Sequence, residues 1–437
     1  MPSPILDVYV KNALAGTLAQ EDNNYVFSYL PSTPPDRFVS LTMPVRLQSY
    51  DWPTLHPIFQ MNLPEGHQKE TLRRKFGPVA TVDDLSLLAL TGRRTIGRVQ
   101  VVPQGDSLDA PQPELDLAKL LSSSDAEHLF LDYVEQGLAQ GVSGVMPKSL
   151  VRDHDKATVT TDQFVVKTGP FDVPGLSLNE FLCLEVARRA GLEVPESRLS
   201  ADGSVLAVRR FDRTANGVML GLEDFCALKG LSPHEKYSGS MEDIAKLLDI
   251  YVGRDFLTPS REQLLRLALV NYALHNADAH LKNYALLYTE TTDVKLAPVY
   301  DIVTVTAYPE FKQDLPALTL YGKKTWGAGF WLARYTAQWL KLNTTAAKDA
   351  VQIVSQAIRD VAPMVQEYAR QFDWFRETAK RMLDAWDAGI GGIQPTAKSA
   401  VPVEGLRKRL GLSDEKRIAK KRSPYVNRDG GFSHKSR

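Results

Sequence analysis

The stretch from His275 to Asn283, HNADAHLKN, has residue types and a spacing that suit phosphoryl transfer. The carboxylate of Asp278 could accept the proton of an attacking hydroxyl, as a general base does. Four residues separate it from Asn283, whose neutral amide oxygen could ligate Mg²⁺ without adding negative charge beside the phosphates. Lys282 could neutralise the transferring phosphoryl group. The stretch therefore predicts a kinase-type catalytic loop, with Asp278 and Lys282 as its candidate catalytic groups.

A further carboxylate and an upstream lysine occur in the order that such a site needs. Asp301 follows two strand-like runs after the loop, where a second Mg²⁺ ligand is expected, although no Phe-Gly follows it. Lys167 ends the strand-like run FVVK and could reach the α- and β-phosphates. The turn GVSGVMPK, residues 141–148, precedes it and could lay backbone N–H groups on phosphate. Each part alone is weak, and their occurrence in order favours a kinase.

Two roles for Glu180 remain open from the sequence. Its helix, SLNEFLCLEVARRAG, follows Lys167, and the carboxylate could form an ion pair with that lysine. Ser177 and Glu180 are also spaced as a capping box, in which Ser177 would be the N-cap of the helix. The first role would belong to the site and the second only to the helix.

The catalytic-loop motif itself has other interpretations. A helix that ends in HNADAHLKN could use its Asn and Asp side chains only for local capping hydrogen bonds. His275, Asp278 and His280 could instead bind a metal ion such as Zn²⁺, although no fourth ligand is evident. That alternative would make the protein a metal-dependent hydrolase.

The pattern of apolar residues predicts a mixed α/β (α+β) chain, and the order of the motifs favours a two-lobed, protein-kinase-like fold. Mixed strands and helices fill the first hundred residues, and long amphipathic helices dominate after residue 222. The predicted parts are an N-terminal subdomain at 1–105, a smaller lobe with phosphate loop, lysine and hinge at 115–215, a mainly helical C-terminal lobe at 216–395, and a basic tail at 396–437 that we expect to be disordered.

The composition excludes several classes of protein. The formal net charge is zero, so the chain as a whole is not a polyanion binder. Its two cysteines, Cys183 and Cys226, are both expected inside helices as buried thiols. No signal-peptide pattern begins the chain, and no apolar run reaches the roughly 18 residues of a membrane helix. The sequence predicts a cytoplasmic protein that makes no contact with a membrane.

Several stretches together resemble the HipA family of bacterial serine/threonine kinases, the toxins of HipA–HipB toxin–antitoxin modules. Two of them, HPIFQMNLPEG and LLALTGRRTIGRVQVVP, are similar to the N-terminal subdomain of that family. The others are similar to its kinase core: SGVMPKSLV, VVKTG, NEFLCLEVARRAGLEVPES, VRRFDR, NADAHLKN and APVYDI. The resemblance covers nearly the whole chain.

The resemblance implies a role for each matching residue. Asp278 would be the catalytic base, and Asn283 and Asp301 would hold Mg²⁺. Arg209, Arg210 and Phe211 would form the hinge beside adenine. The ATP-binding residues implied in this way are Ser143, Gly144, Val145, Met146, Pro147, Lys148, Lys167, Arg209, Arg210, Phe211, His280, Leu281, Lys282, Asn283, Tyr300 and Asp301.

Two positions depart from the family pattern. Arg209 stands where the family hinge often has Glu, which matters little if that contact is made by the backbone. Gly141 stands where members commonly carry an autophosphorylated serine, which leaves Ser143 as the candidate autophosphorylation site. A phosphate on Ser143 would bring about −1.5 to −2 charge next to the phosphates of ATP, and the repulsion would expel the loop or the nucleotide.

The resemblance also implies partners. These are a small HipB-like helix-turn-helix antitoxin, operator DNA bound indirectly through that antitoxin, and a protein substrate such as an aminoacyl-tRNA synthetase. A kinase of this kind would halt growth and promote persistence. A catalytically silent corepressor that only grips the antitoxin is the main alternative, but loss of Lys167, Asp278, Asn283 or Asp301 would be its mark, and all four are present.

Overall fold

Antiparallel sheets and helices alternate along the chain, as the mixed composition predicts. The computed structural model describes residues 4–63, 83–109, 115–139, 145–146, 158–169, 173–325 and 330–394. The predicted basic tail at 396–437 lies outside these residues. Within them the strands form two five-stranded sheets and one three-stranded sheet, all antiparallel. The prediction of a mixed α/β fold is confirmed.

The first sheet belongs to the N-terminal subdomain and has the order β4-β3-β2-β1-β5. Its strands are β1 Leu6–Val10, β2 Ala13–Glu21, β3 Asn24–Tyr29, β4 Tyr50–Trp52 and β5 Val99–Pro103. Lys11 and Asn12 join β1 to β2, and both have positive φ angles, as a two-residue hairpin turn requires. Helices α1 Pro57–Gln60 and α2 Asp84–Thr91 cover the sheet. They close a core that includes Phe27, Phe59 and Leu88.

The second sheet is that of the smaller lobe and has the order β6-β7-β8-β10-β9. Its strands are β6 Val145–Met146, β7 Thr158–Thr160, β8 Phe164–Thr168, β9 Ser197–Leu199 and β10 Val205–Arg209. The helices of this lobe are α3 Leu117–Ser122, α4 Ala126–Ala139 and α5 Leu176–Arg189. Phe130 of α4 packs with Val166 and Ala207 of the sheet, and all three side chains are buried. This packing fixes β8 and β10, the strands that border the candidate site.

A small third sheet leads into the helical lobe. Its strands are β11 Gly221–Asp224, β12 Ala285–Tyr288 and β13 Lys295–Leu296. The sequence predicted mainly helix from residue 222 onward, so β11 is a correction. Its cause lies outside the local pattern, because the residues of β11 pair with those of β12, more than sixty positions further along the chain.

Within the described residues, the C-terminal lobe contains the short helix α6 Phe225–Leu228 and five longer helices, the first two of which lie between β11 and β12. They are α7 Met241–Tyr251, α8 Arg254–Ala273, α9 Phe330–Gln338, α10 Thr344–Gln371 and α11 Arg376–Ile393. Gly389 of α11 lies against the end of α8, where a Cβ would collide with the backbone carbonyl of Ala273. This close approach fixes the C-terminal end of α8, where the predicted catalytic loop begins.

A buried polar network joins the N-terminal subdomain to the small sheet. Glu223 accepts hydrogen bonds from the Ser40 hydroxyl at 2.6 Å and from the Tyr288 hydroxyl. Arg98 is 1% exposed and donates to the carbonyls of Phe38 at 2.8 Å and of Thr289 at 2.7 Å. Burial raises the pKa of Glu223, which the nearby Arg98 partly counteracts. These buried hydrogen bonds therefore fix the N-terminal subdomain in one orientation on the small sheet.

The end of α5, the two cysteines and the lengths of the helices agree with the sequence predictions. Helix α5 ends before Gly191, which has a φ of +73°, as its glycine predicts. Cys183 and Cys226 are buried free thiols inside α5 and α6. Among the described residues, every helix is too short or too polar to span a bilayer.

Candidate active site

Lys167 lies between two carboxylates at the back of a cleft. It sits on β8, paired with Leu206 of β10. Its Nζ is 2.6 Å from Glu180 Oε1 and 3.2 Å from Asp301 Oδ1. Burial lowers the pKa of Lys167, but the charges and hydrogen bonds of Glu180 and Asp301 outweigh it and raise the pKa above its ordinary value. The lysine is therefore a fixed cation.

Of the two roles that the sequence left open for Glu180, the structure contains the ion pair. The N-cap of α5 is Gly175, with a φ of +77°, so the capping-box interpretation is wrong. Ser177 lies within the first turn of α5, and its hydroxyl donates to the Lys167 carbonyl at 3.4 Å. Both side chains of the supposed capping box thus support Lys167.

Asp301 lies where the cleft meets a second cavity and borders both. Its φ is +57°, a left-handed conformation that is strained for a residue with a Cβ and that often marks functional sites. The preceding residue, Tyr300, donates its hydroxyl to the Lys282 carbonyl at 2.8 Å. This contact ties the Asp301 segment to the predicted catalytic loop.

The cleft has a volume of about 270 Å³ and combines apolar walls with the Lys167 cluster at its back. Phe211 and Tyr300 lie on its lining with ring centroids 5.7 Å apart. Of the predicted ATP-binding residues, those that line it are Lys167, Arg209, Arg210, Phe211, Lys282, Tyr300 and Asp301. An apolar slot with a fixed cation at one end suits a flat base joined to phosphates.

The two hinge arginines direct their charged groups away from the cleft. Arg209 pairs with Glu196 at 2.7 Å on the exposed face of the sheet. Arg210 is buried and binds Asp212 and the Thr95 carbonyl. Since both guanidinium groups are engaged elsewhere, what these residues offer a nucleotide is their backbone. The replacement of the family's Glu by Arg209 therefore leaves the cleft unchanged.

The predicted catalytic loop is held by amide side chains. Helix α8 ends at Ala273, and His275 takes a left-handed φ of +54° that turns the chain out of the helix. Asn276 donates from Nδ2 to Asn271 Oδ1 at 3.0 Å, and Asn271 donates to the Tyr284 hydroxyl at 3.1 Å. Asn283 donates from Nδ2 to the Asp278 carbonyl at 2.9 Å. The polar residues thus fix the loop rather than merely end a helix.

Asp278 projects from this loop into the second cavity, which has a volume of about 580 Å³. Its Oδ1 accepts a hydrogen bond from the Tyr237 hydroxyl at 2.6 Å and lies 3.8 Å from Nε2 of His280. The side chain is 45% exposed. Asp301 also lines this cavity, so a candidate base and a candidate metal ligand face one space.

The donors around Asp301 fit Mg²⁺ by their chemistry. Mg²⁺ prefers oxygen ligands, commonly carboxylates with waters and phosphates completing the shell. Asp301 supplies a carboxylate. The amide of Asn283, whose Oδ1 would be a second ligand, is fixed by the bond from its Nδ2 to the Asp278 carbonyl, but Asn283 is not among the residues that line either cavity. The carboxylates of Glu180 and Asp301 also outnumber the ammonium of Lys167, which favours a bound cation.

Some predicted site residues lie elsewhere. His280 and Leu281 were expected to line the nucleotide site, but they are buried, with 5% and 0% exposure, behind it. Lys282 lines the cleft with its Nζ 3.2 Å from the Met61 carbonyl, and it does not line the cavity of Asp278. Val145 and Met146 form strand β6. Ser143, Gly144, Pro147 and Lys148 lie outside the described residues.

The sequence reading missed one wall of the cleft. Met61, Asn62 and Ile96 of the N-terminal subdomain line it, together with Leu222 and Asp224. Asn62 is fixed by two hydrogen bonds to the backbone of Ile96, at 3.1 and 3.2 Å. Met61, Asn62 and Ile96 lie in the two stretches that resemble the N-terminal subdomain of the family, but nothing in those stretches indicates a place in the cleft, which they reach only through the packing of separate parts of the chain.

The alternative metal site receives no support from the geometry. Among the described residues, no group of three or more His, Cys, Asp or Glu side chains could hold a metal ion. The set proposed from the sequence, His275, Asp278 and His280, is described in full. Burial lowers the pKa of His275, and His280 packs edge-to-face on the Tyr237 ring. The hydrolase alternative therefore loses its site.

Two family models match the chain. The HipA-like C-terminal domain matches residues 140–369, more than half of the chain, and the HipA N-terminal domain matches residues 6–102. Among curated relatives, Y4dM of Sinorhizobium fredii, named as a candidate kinase, is 27% identical over 372 residues and 80% of each chain. The serine/threonine-protein kinase toxin HipA of Shewanella oneidensis is 25% identical over 285 residues, 59% of this chain and 65% of its own.

Among solved structures, the fold is similar to a chain in the complex of HipA, HipB and operator DNA from Shewanella oneidensis. The TM-score is 0.64, with 19% identity, 92% of this chain covered and 99% of the other. At this identity the match carries the fold alone. It agrees with the mixed fold of helices and antiparallel sheets described above.

Proposed function

The chain belongs to the HipA family, and we propose that it is an ATP-dependent serine/threonine protein kinase. The observation that carries the proposal is the position of Asp301. This residue pairs with Lys167 at the back of an apolar cleft and also lines the cavity into which Asp278 projects. A nucleotide in the cleft and a hydroxyl in the cavity would meet at Asp301.

In this proposal each side chain has one task. Lys167, held by Glu180, binds the α- and β-phosphates, and the backbone of the hinge contacts adenine. Asp278 accepts the proton of the protein Ser or Thr hydroxyl as the hydroxyl oxygen bonds to the γ-phosphorus, while the bond from that phosphorus to the β,γ-bridging oxygen breaks and ADP leaves. Mg²⁺ held by Asn283 and Asp301 would neutralise phosphate charge. Fixed positions supply most of the catalysis in reactions of this type, and the amide network of the loop meets that need.

Lys282 has a different task from the one that its position in the motif suggests. Its Nζ is 3.2 Å from the Met61 carbonyl, on the side of the nucleotide cleft. We infer that it closes the cleft against the N-terminal subdomain and contacts the nucleotide from there. Neutralisation of the transferring phosphoryl group then falls mainly to Lys167 and the metal.

We also propose a toxin role, which is supported by the relatives rather than by the site. The Shewanella oneidensis relative is named a kinase toxin, and the structural match is a complex of HipA with HipB and operator DNA. We propose a HipB-like antitoxin as partner, with operator DNA bound through it, and a protein substrate such as an aminoacyl-tRNA synthetase. We further propose Ser143 as the autophosphorylation site that switches the kinase off.

Replacement of Asp278 tests the kinase function directly. Asp278→Asn keeps the shape but cannot take the proton, so phosphate transfer to protein should fall by about 100- to 10,000-fold. The measurement is incorporation of labelled phosphate from Mg-ATP into the protein itself and into a bacterial lysate, followed by phosphosite mapping. Asp51→Asn, on an exposed position of β4, is the matched control and should leave transfer unchanged.

The same experiment separates the kinase from the corepressor. Transfer that persists in Asp278→Asn would remove the assigned role of this carboxylate. A wild-type protein that binds antitoxin but neither binds Mg-ATP nor transfers phosphate would be the corepressor. If phosphate is mapped to a residue other than Ser143, the regulatory site would be assigned to that residue and the proposed kinase function would still stand.

A further inference from the structure

The hydroxyl of Tyr237 occupies the place where a protein hydroxyl would have to be deprotonated. It donates to Asp278 Oδ1 at 2.6 Å, the length of a strong bond to a carboxylate. A Ser or Thr acceptor must make this same bond to the same base before it reacts. The two hydroxyls therefore compete for one position.

The segment that carries Tyr237 is fixed to the catalytic loop. The carbonyl of Lys236 accepts a hydrogen bond from the Leu281 backbone N–H at 3.0 Å. The Tyr237 ring packs edge-to-face on His280, with centroids 5.1 Å apart. The backbone bond of Lys236 and the packing of the ring on His280 thus both hold the Tyr237 hydroxyl against Asp278.

The ring can nevertheless leave this position. Tyr237 is 47% exposed, and it borders the 580 Å³ cavity rather than the protein interior. Rotation of its side chain would place the hydroxyl in solvent without disturbing the backbone contact of Lys236. The Tyr237 hydroxyl can therefore occupy the acceptor position at Asp278 in the absence of an acceptor and leave it when an acceptor enters.

Resting on the proposed kinase function, we propose that Tyr237 determines acceptor specificity by keeping water from Oδ1 of Asp278. Its hydroxyl fills the acceptor position until a protein Ser or Thr hydroxyl displaces it. A protein segment can offset the lost bond by contacts with the cavity wall, where Phe311 and Leu315 are 41% and 50% exposed. A water molecule has no such contacts, so it cannot compete equally.

The test is the hydrolysis of Mg-ATP without any protein acceptor. In Tyr237→Phe the ring and its packing on His280 remain, but Asp278 Oδ1 becomes open to water. Phosphate release should rise by about three- to tenfold, since this is the effect of one hydrogen bond. The affinity for Mg-ATP should not change. Tyr9→Phe, on β1 of the N-terminal sheet, is the matched control and should show neither effect.

Each other outcome is decisive. Unchanged or slower release from Tyr237→Phe, with Mg-ATP affinity intact, would mean that the hydroxyl does not exclude water, and the inference fails while the kinase stands. The gain should vanish in Tyr237→Phe/Asp278→Asn, and its persistence would also overturn the inference. Phosphate found on Tyr237 itself would show that this hydroxyl is a phosphate acceptor, and that result would also overturn the inference. A wild type that binds no Mg-ATP would overturn the kinase function and this inference with it.

Discussion

Two buried charge clusters among the described residues are alike in composition and different in surroundings. One consists of Lys167, Glu180 and Asp301, and it opens into the cleft. The other consists of Arg98 and Glu223 with the hydroxyls of Ser40 and Tyr288, and it is closed on all sides by the N-terminal subdomain and the small sheet. Each places a basic group near buried carboxylate oxygen.

The balance of charge separates the two. Two carboxylates surround one ammonium in the cleft, so the cluster has formal negative charge to share with a cation. Glu223 accepts hydrogen bonds from two hydroxyls and a backbone N–H, and Arg98 donates to two backbone carbonyls, so contacts within the fold engage both charged groups. The comparison indicates that excess charge at an opening marks a binding site, whereas a closed cluster whose charged groups are hydrogen-bonded within the fold marks a structural joint.

The largest effect on stability should come from the closed cluster. Arg98→Met would leave Glu223 buried without its neighbouring cation and two carbonyls without donors. The free energy of unfolding should fall by about 2–6 kcal/mol, since each of the two buried carbonyls left without its donor costs about 1–3 kcal/mol. Chemical denaturation followed by circular dichroism would measure it.

Arg46→Met is a matched control for that variant. Arg46 also bonds two backbone carbonyls and lies 3.6 Å from the centre of an aromatic ring, that of Tyr50, but it is exposed. Its loss should change stability by less than about 1 kcal/mol. Equal losses in the two variants would break the comparison, because burial would then not matter.

The open cluster should matter mainly for function. Lys167→Met should reduce phosphoryl transfer by about 100- to 1,000-fold, since one preorganised charge on the phosphates is lost. Its cost in stability should be about 3 kcal/mol, because Glu180 is 2% exposed and loses its partner at 2.6 Å, although water can enter beside Asp301, which is 32% exposed. Mg-ATP should raise the melting temperature of the wild type but not of this variant.

Lys229→Met is the control for the cleft lysine. Lys229 forms an ion pair with Asp243 at 2.7 Å, away from both cavities. We expect Mg-ATP to stabilise this variant as it does the wild type. A Lys167→Met protein that keeps full Mg-ATP stabilisation would show that the cleft is not the nucleotide site.

A smaller effect concerns pH and a buried base in the N-terminal subdomain. Burial lowers the pKa of His56 to about 4 from its usual 6.5, and its ring packs 4.2 Å from Trp52. The unfolded chain takes up a proton as the pH falls below 6.5, whereas the folded chain resists until about pH 4. Stability should therefore fall by about 1 kcal/mol between pH 7.5 and 5.5.

His56→Asn should remove most of this pH dependence. Asparagine can still accept the hydrogen bond from the Ile58 backbone N–H that His56 accepts at 3.3 Å. Denaturation curves at the two pH values would measure the difference. An identical loss in the variant and the wild type would assign the effect to other groups.

Sequence reasoning found the open cluster because its residues sit in local patterns of strand, helix and loop. Lys167 at a strand end and Asp278 in a polar loop each have a spacing that chemistry explains. Arg98 and Glu223 have none, since they meet only when parts of the chain more than a hundred residues apart pack together. The same reason hides Met61 and Ile96 in the cleft wall, the strand β11, and Tyr237 on the candidate base.

The glycine at position 389 has a practical consequence for anyone who surveys variants of this protein. Its missing side chain allows the last long helix to touch the carbonyl of Ala273, directly before the turn into the reactive loop. A screen scored by growth or turnover would flag changes at 389 as strongly as changes at 278. Only a folding assay run in parallel would distinguish a variant whose helix packing is disturbed from one that has lost a catalytic group.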